Sequence, residues 1–198
     1  MTRHVGIVLF PVFEELDAIG PYEVFGALSE LDADWRVVTV AESGGVVTGA
    51  HGLKVTADHS FEDCPPLDVV LVPGGFGTRQ EMTNPRMLEF LRRTARTASY
   101  VTSVCTGALV LHKANFLAGK KATTHWGAID LLRGMGDVEV VKERYVQDGN
   151  VITAAGVSAG IDMALYLVNV LKDAQTARNV QKMMEYYPKP PELEEATV

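Results

Sequence analysis

The chain has 198 residues, of which 47% are hydrophobic and 22% are charged, and its net charge is −7. This length and composition fit one domain over residues 1–198. The acidic balance argues against nucleic acid as a partner, because phosphate binding needs a basic surface. No stretch approaches the roughly 20 apolar residues of a membrane span. The first apolar run ends at Pro11 without a cleavage site, so we expect no signal peptide and a cytoplasmic protein.

Apolar, β-branched runs alternate with helix-like stretches in the first half of the chain. The run LDVVLVPGG is continuously apolar, which is typical of a central parallel strand covered on both faces. Gly20-Pro21 interrupts the apolar pattern of the first helix, and Pro85 suits the first turn of a later one. The predicted elements here are strand 4–10, helix 14–31, strand 35–41, a short β excursion over 46–60, strand 67–75, a helix opening at Asn84-Pro85 and strand 99–104.

The second half of the chain continues the alternation. Asp148-Gly149 lies between two alternating runs, which is a strong β-hairpin signal. The predicted elements are helix 106–115, strand 120–126, short helix 127–134, a hairpin within 138–156, one long helix over 158–185 and a Pro-rich acidic tail. This order predicts an α/β fold, doubly wound, with a mostly parallel sheet sandwiched by helices. Ligands of such sheets bind beyond the carboxyl ends of the strands.

One of the two cysteines, Cys105, follows a predicted central strand and precedes a predicted helix. The free N–H groups of a helix N-terminus favour an anion, so we expect a lowered thiol pKa and a nucleophilic thiolate there. The alternative is a buried structural cysteine. Cys64 lies before two prolines and is interpreted as a loop thiol, and a disulfide between the two cysteines is not expected in a reducing compartment.

A cysteine nucleophile needs hydrogen-bond donors and an acid or base near it. Pro-Gly-Gly ends another predicted central strand, so the N–H groups of Gly75 and Thr106 are the natural donors. The segment after the first strand supplies Glu14, Glu15 and Asp17. Glu14 and Glu15 look more solvated, Asp17 lies among apolar residues, and a helix cap is the common alternative for such a carboxylate. The histidines share no metal-ligand spacing, so no metal site is predicted.

Together, these motifs resemble the ThiJ/PfpI superfamily, and within it the branch that hydrates isocyanides. The resemblance covers nearly the whole chain and rests on five segments: FPVFEELDAIGP, CPPLDVVLVPGG, YVTSVCTGALVL, GKKATTHW and ITAAGVSAGID. It implies a flavodoxin-like fold, similar to class I glutamine amidotransferases. It also implies hydration of an isocyanide, a small-molecule substrate, to an N-substituted formamide without any cofactor.

The resemblance carries specific residues onto this sequence. It implies that Cys105 and Asp17 are catalytic, with Thr106 beside them, and that the segment from Ile152 to Gly156 lies near the active site. We therefore expect Asp17 within hydrogen-bond reach of the Cys105 thiol. It implies a homodimer, whose interface we expect to border the site. His125 matches the family's TTHW element, but we interpret it as a structural hydrogen-bonding residue.

Two other functions stay open on the sequence alone. A related cysteine enzyme could act on reactive carbonyls or amides, although the Cys-His dipeptide of the proteolytic branch is absent because Thr106 follows Cys105. The other possibility is a ligand or redox sensor, since the sensor domains of AraC-type regulators share this core. We expect no helix-turn-helix pair after the long C-terminal helix.

Overall fold

The computed structural model describes residues 2–189, so the predicted acidic tail lies outside the described residues from residue 190 onward. The strands are β1 (Arg3–Leu9), β2 (Trp35–Ala41), β3 (Gly45–Thr48), β4 (Lys54–Ala57), β5 (His59–Ser60), β6 (Val69–Val72), β7 (Tyr100–Val104), β8 (Lys120–Ala122), β9 (Val138–Val140), β10 (Tyr145–Asp148) and β11 (Val151–Ala154). The helices are α1 (Glu15–Leu31), α2 (Thr78–Glu81), α3 (Pro85–Thr94), α4 (Gly107–Lys113), α5 (Ile129–Gly134), α6 (Ala159–Leu171) and α7 (Ala174–Met183), and Trp126–Ala128 form a 3₁₀ turn.

Seven strands form the main sheet in the order β10-β11-β7-β6-β1-β2-β5. All neighbouring pairs are parallel except the hairpin of β10 and β11, so the predicted α/β fold with a mostly parallel sheet flanked by helices is confirmed. The strand β6 is buried along its whole length, as expected of a strand covered on both faces. Two small sheets, β3 with β4 and β8 with β9, lie outside the main sheet.

The sheet order brings three chain segments to one edge. The strands β7, β6 and β1 are adjacent and parallel, so the loops that follow them leave the same end of the sheet. The loops after β7 and β6 carry Cys105 and Gly75, and the loop after β1 leads into α1, whose first turn carries Asp17. The Pro-Gly-Gly strand and the cysteine strand are direct neighbours in the sheet.

The first helix, predicted over 14–31, is α1 (Glu15–Leu31), and it continues through Gly20-Pro21, where the Pro21 ring packs towards Gly160 of α6. Two later element bounds were wrong. The long C-terminal helix is two helices, because Lys172 leaves helical geometry and Asp173 caps α7 by accepting a hydrogen bond from Thr176 N at 2.7 Å. The strand predicted over 120–126 ends at residue 122.

The predicted hairpin at Asp148-Gly149 is confirmed, with Gly149 in the left-handed region at φ 62°. Residues 138–140, which the sequence placed next to this hairpin, instead pair with β8 in a separate sheet. Both cysteines are free thiols. None of the helices within residues 2–189 has the length and apolar character needed to cross a membrane.

Candidate active site

Cys105 occupies a strained turn between β7 and α4. Its φ is 56°, in the left-handed region that favours glycine, although cysteine carries a side chain. The Cys105 N–H donates to the carbonyl oxygens of Ala154 (3.1 Å) and Ala155 (2.8 Å), so the neighbouring strand β11 holds this backbone in place. Strained backbone of this kind is characteristic of a nucleophile elbow, in which a sharp strand-to-helix turn exposes the nucleophile at the end of the sheet.

Asp17 is completely buried in the first turn of α1. Its Oδ2 accepts a hydrogen bond from Gly74 N at 2.8 Å, while its Oδ1 has no hydrogen-bond partner among residues 2–189. A Cβ placed on Gly74 would lie 2.7 Å from Asp17 Oδ2 and 2.7 Å from Cys105 Cβ. Glycine at this position therefore allows the acid, the cysteine and the strand end to meet.

The thiol and the carboxyl lie close enough to change each other's pKa. Burial raises the pKa of Asp17 to about 7, Gly74 N–H opposes this shift, and the charge of Glu14 adds to it. Burial and then the charge of Asp17 raise the pKa of Cys105 to about 12, against the hydrogen bonds of Thr106. The predicted lowering of the cysteine pKa was therefore wrong, because burial beside an acid outweighs the N-terminus of a seven-residue helix.

The raised pKa of Asp17 predicts how the stability of the fold changes with pH. A carboxyl whose pKa rises from 3.8 to about 7 on folding binds more protons in the native state between these values, so the free energy of unfolding falls as pH rises through this window. Asp17→Asn removes this dependence and keeps an acceptor for Gly74 N–H. As the pH rises from 4 to 8, we expect the free energy of unfolding of the variant to increase by roughly 2 to 4 kcal/mol relative to that of wild type.

Urea denaturation of both proteins at several pH values measures this difference. A pH-independent difference between the two proteins would contradict the raised pKa of Asp17. Glu23→Gln, at an exposed position of the same helix, is the matched control, and we expect its stability to follow wild type across this range.

Thr106 ties the cysteine turn to the glycine turn that follows β6. Gly75 N donates to Thr106 Oγ1 at 3.0 Å, and the Thr106 hydroxyl also lies 3.1 Å from Gly75 O. Thr78, fully buried, adds a third contact to this hydroxyl at 3.2 Å. The Gly75 N–H, predicted as an oxyanion donor, already has a partner in this structure. Thr106 N–H, by contrast, interacts with the Cys105 sulfur.

A cavity of about 160 Å³ opens beside Cys105. Its wall includes Cys105, Thr106, Glu14, Phe76, Arg79 and His125. Sequence reasoning missed Phe76 and Arg79, although both lie directly after Pro-Gly-Gly, where a parallel sheet places its ligand-binding loops. Counting the polar and aromatic residues after each predicted strand would have found them.

The structure places the segment from Ile152 to Gly156 behind the cavity wall, and His125 in the wall itself. Ile152 is completely buried in the hydrophobic core and does not line the cavity. Gly156 lies behind His125, since a Cβ there would lie 2.5 Å from the His125 ring. The Nδ1 of His125 accepts a hydrogen bond from Gly127 N at 3.2 Å, which starts the 3₁₀ turn. Its ring also forms part of the cavity wall.

The close approach at Gly74 gives a second stability prediction. Gly74→Ala would place its methyl group against Thr106 N and between Asp17 and Cys105, and backbone neighbours cannot yield easily. We expect a loss of about 1 to 3 kcal/mol in the free energy of unfolding.

Gly26→Ala is the matched control, because nothing lies within 4 Å of a Cβ on this residue of α1. There we expect a gain of up to about 1 kcal/mol. Equal effects in both variants would contradict the close approach.

Glu14, Glu15 and His51 meet near the cavity, a group that the sequence spacing did not indicate as a metal site. One ligand atom from each lies within 4.8 Å of the others. His51 Nδ1 is 2.7 Å from Glu15 Oε2, and this contact, with the charges of both glutamates, raises the pKa of His51. The raised pKa favours the protonated imidazole, which pairs with carboxylates, so these three side chains find partners in one another.

Fold and site together define a class of protein: a parallel α/β sheet that presents a cysteine on a strained strand-to-helix turn beside a buried acid. The family model described as the DJ-1/PfpI family matches residues 3–170, and the chain belongs to this family. The resemblance drawn from the sequence motifs is thereby confirmed.

Individual relatives agree with this assignment. The chain is 46% identical to isonitrile hydratase of Pseudomonas putida over 96% of its own length and 82% of that enzyme. It is 30% identical to the HTH-type transcriptional regulator CdhR of Pseudomonas aeruginosa, over 92% of this chain but only 54% of the regulator. The crystal structure of a ThiJ/PfpI family protein from Pseudomonas syringae superposes with a TM-score of 0.89 at 37% identity, covering 96% of this chain and 78% of that one.

Proposed function

We propose that this protein is a hydro-lyase that hydrates isocyanides to N-substituted formamides. The observation that carries the proposal is the buried pair of Cys105 and Asp17 beside a small cavity, with a carboxyl pKa of about 7. Such a carboxyl can both donate and accept a proton near neutral pH, which general acid–base catalysis requires. The 46% identity to isonitrile hydratase supports the same reaction.

The first half of the reaction needs a nucleophile and a proton at the same carbon. Above pH 7, Cys105 and Asp17 together hold one proton, which lies on the sulfur or on the carboxyl. Cys105 sulfur forms a bond to the terminal carbon of the isocyanide, and Asp17 passes the thiol proton to that carbon. The product is a thioimidate, in which the carbon carries sulfur, hydrogen and a double bond to nitrogen. Thr106 N–H stabilises negative charge on sulfur as the proton moves.

In the second half of the reaction, the Asp17 carboxylate acts as a general base. Asp17 accepts a proton from water as the oxygen attacks the thioimidate carbon, and this proton passes to the substrate nitrogen. The carbon–sulfur bond then breaks, the hydroxyl loses its proton, and the sulfur regains one. The formamide leaves, and the pair again holds a single proton, so no electrons are gained or lost. The predicted homodimer and cytoplasmic location belong to this proposal.

Incubation with an alkyl isocyanide and detection of the formamide by NMR tests the proposal. We expect enzyme-dependent formamide, and no turnover of methylglyoxal in the same buffer. Conversion of methylglyoxal without any isocyanide hydration would favour the carbonyl-directed alternative instead.

Ligand sensing is the second candidate, and the similarity to CdhR is the observation that favours it. Saturable binding of an isocyanide without formamide would support a sensor over an enzyme.

A further inference from the structure

Arg79 contributes a positive charge to the wall of the Cys105 cavity. Its Nη1 donates to Gly75 O at 3.3 Å and to Thr78 Oγ1 at 3.1 Å. The guanidinium carbon lies 5.4 Å from the ring centre of Phe76, within the range of a cation–π contact. These contacts hold the guanidinium against Gly75 and Thr78, in the segment that follows β6.

The other edge of the guanidinium has no protein partner. Within residues 2–189, Nε and Nη2 of Arg79 make no hydrogen bond, and no carboxylate lies within 4.0 Å of the group. The pair of N–H groups on Nε and Nη2 matches the two oxygens of a carboxylate. Arg86 provides the contrast, since Glu42 and Glu62 already neutralise it.

Arg79 and Cys105 both line this cavity, so one ligand can contact both side chains. At about 160 Å³, the space is smaller than the 300 to 1,000 Å³ typical of drug-sized ligands, which favours a small molecule. Glu14, also on this wall, has its Oε1 3.8 Å from His51 Nδ1, and the two glutamates raise the pKa of that imidazole.

We propose that Arg79 is an anion-binding residue of this site and that the preferred substrates are small isocyanides bearing a carboxylate. This inference rests on the proposed function for its reaction, but the charge preference of the cavity stands on geometry alone. The carboxylate binds Nε and Nη2 of Arg79, while the terminal isocyanide carbon reaches Cys105. Phe76, 78% exposed, contacts the guanidinium through its ring and lines the same cavity.

The first test measures charge preference without any isocyanide. Iodoacetate and iodoacetamide alkylate thiols and have similar sizes, but only iodoacetate is anionic. Their alkylation rates at Cys105 are measured by mass spectrometry in a Cys64→Ala background. We expect Arg79→Met to lower the iodoacetate-to-iodoacetamide ratio about two- to fivefold, the size of effect that an exposed ion pair reaches. Arg79→Lys should restore most of the ratio, and Glu14→Gln should raise it.

Arg96→Met is the matched control, because Arg96 is exposed, has no salt bridge within the described part of the chain and lies away from this cavity. It changes the net charge by the same amount. An equal drop in the ratio in Arg79→Met and Arg96→Met would overturn the proposal, since the effect would then come from net charge alone. An unchanged ratio in Arg79→Met would overturn it as well.

The second test uses isocyanoacetate and its methyl ester, which differ in charge at the same distance from the reacting carbon. We expect kcat/KM for isocyanoacetate, divided by that for the ester, to fall about fivefold in Arg79→Met and to recover in Arg79→Lys. Hydration of both substrates with no change in this quotient overturns the substrate preference. Hydration of neither substrate overturns the proposed function, while the alkylation ratio still decides the role of Arg79.

Discussion

Cys105→Ala is expected to abolish isocyanide hydration, leaving only the uncatalysed rate of formamide formation. No other cysteine lies at the strand-to-helix turn, since Cys64 is in the loop between β5 and β6, where burial raises its pKa to about 11. Alanine tolerates the left-handed backbone no better and no worse than cysteine, so the variant should fold with similar stability. Formamide formation is followed by NMR, and thermal unfolding is measured in parallel.

Cys64→Ala is the matched control, with a thiol removed outside the site and activity expected to be retained. Turnover by a folded Cys105→Ala protein at more than a few per cent of wild type would exclude the thioimidate route. Under the proposed mechanism, wild-type protein trapped during turnover also carries the isocyanide mass on Cys105, which mass spectrometry can detect.

Asp17→Asn is expected to lower kcat/KM by about 10²-fold or more, because an amide keeps the hydrogen bond to Gly74 but cannot pass a proton on. The pH profile supplies the sharper readout. The active pair holds one proton, so wild-type kcat/KM should rise with pH through about 7, where Asp17 ionises, and then level off. The residual activity of Asp17→Asn should lose this step.

Glu23→Gln, on the same helix but exposed, is the control and should keep both the rate and the profile. Full activity of Asp17→Asn would refute the proton transfer through Asp17 and leave the nucleophile unaffected. A wild-type profile without a step near pH 7 would instead show that the ionisation of this carboxyl does not limit the reaction.

The alternation of apolar strands and helices was enough to predict the sheet and the edge at which the site lies. The strand before Cys105 and the Pro-Gly-Gly strand were predicted as central, and they are neighbours in the sheet. The prediction worked because strands covered on both faces are continuously apolar, and because parallel strands end on one edge. The family motifs then identified Asp17 as the partner of the cysteine, which spacing alone could not do.

The pKa of Cys105 could not be predicted from its position along the chain. A helix N-terminus was visible in the sequence, but the depth of burial and the charge of Asp17 depend on how three loops pack together. Arg79 is a similar case, since only the fold reveals that its guanidinium points along the glycine turn into the same cavity. The break between α6 and α7 was missed because the apolar periodicity continues across Lys172 and Asp173.

The left-handed backbone at Cys105 also bears on how the protein would change in laboratory evolution. Glycine adopts a φ of 56° freely, whereas a residue with a side chain loses about 1 kcal/mol there. Cys105→Gly relieves this strain, but it also makes the unfolded chain more flexible and removes a buried side chain, so these effects offset each other. A library screened for thermal tolerance alone therefore does not select for the nucleophile, and selection for activity must accompany every round.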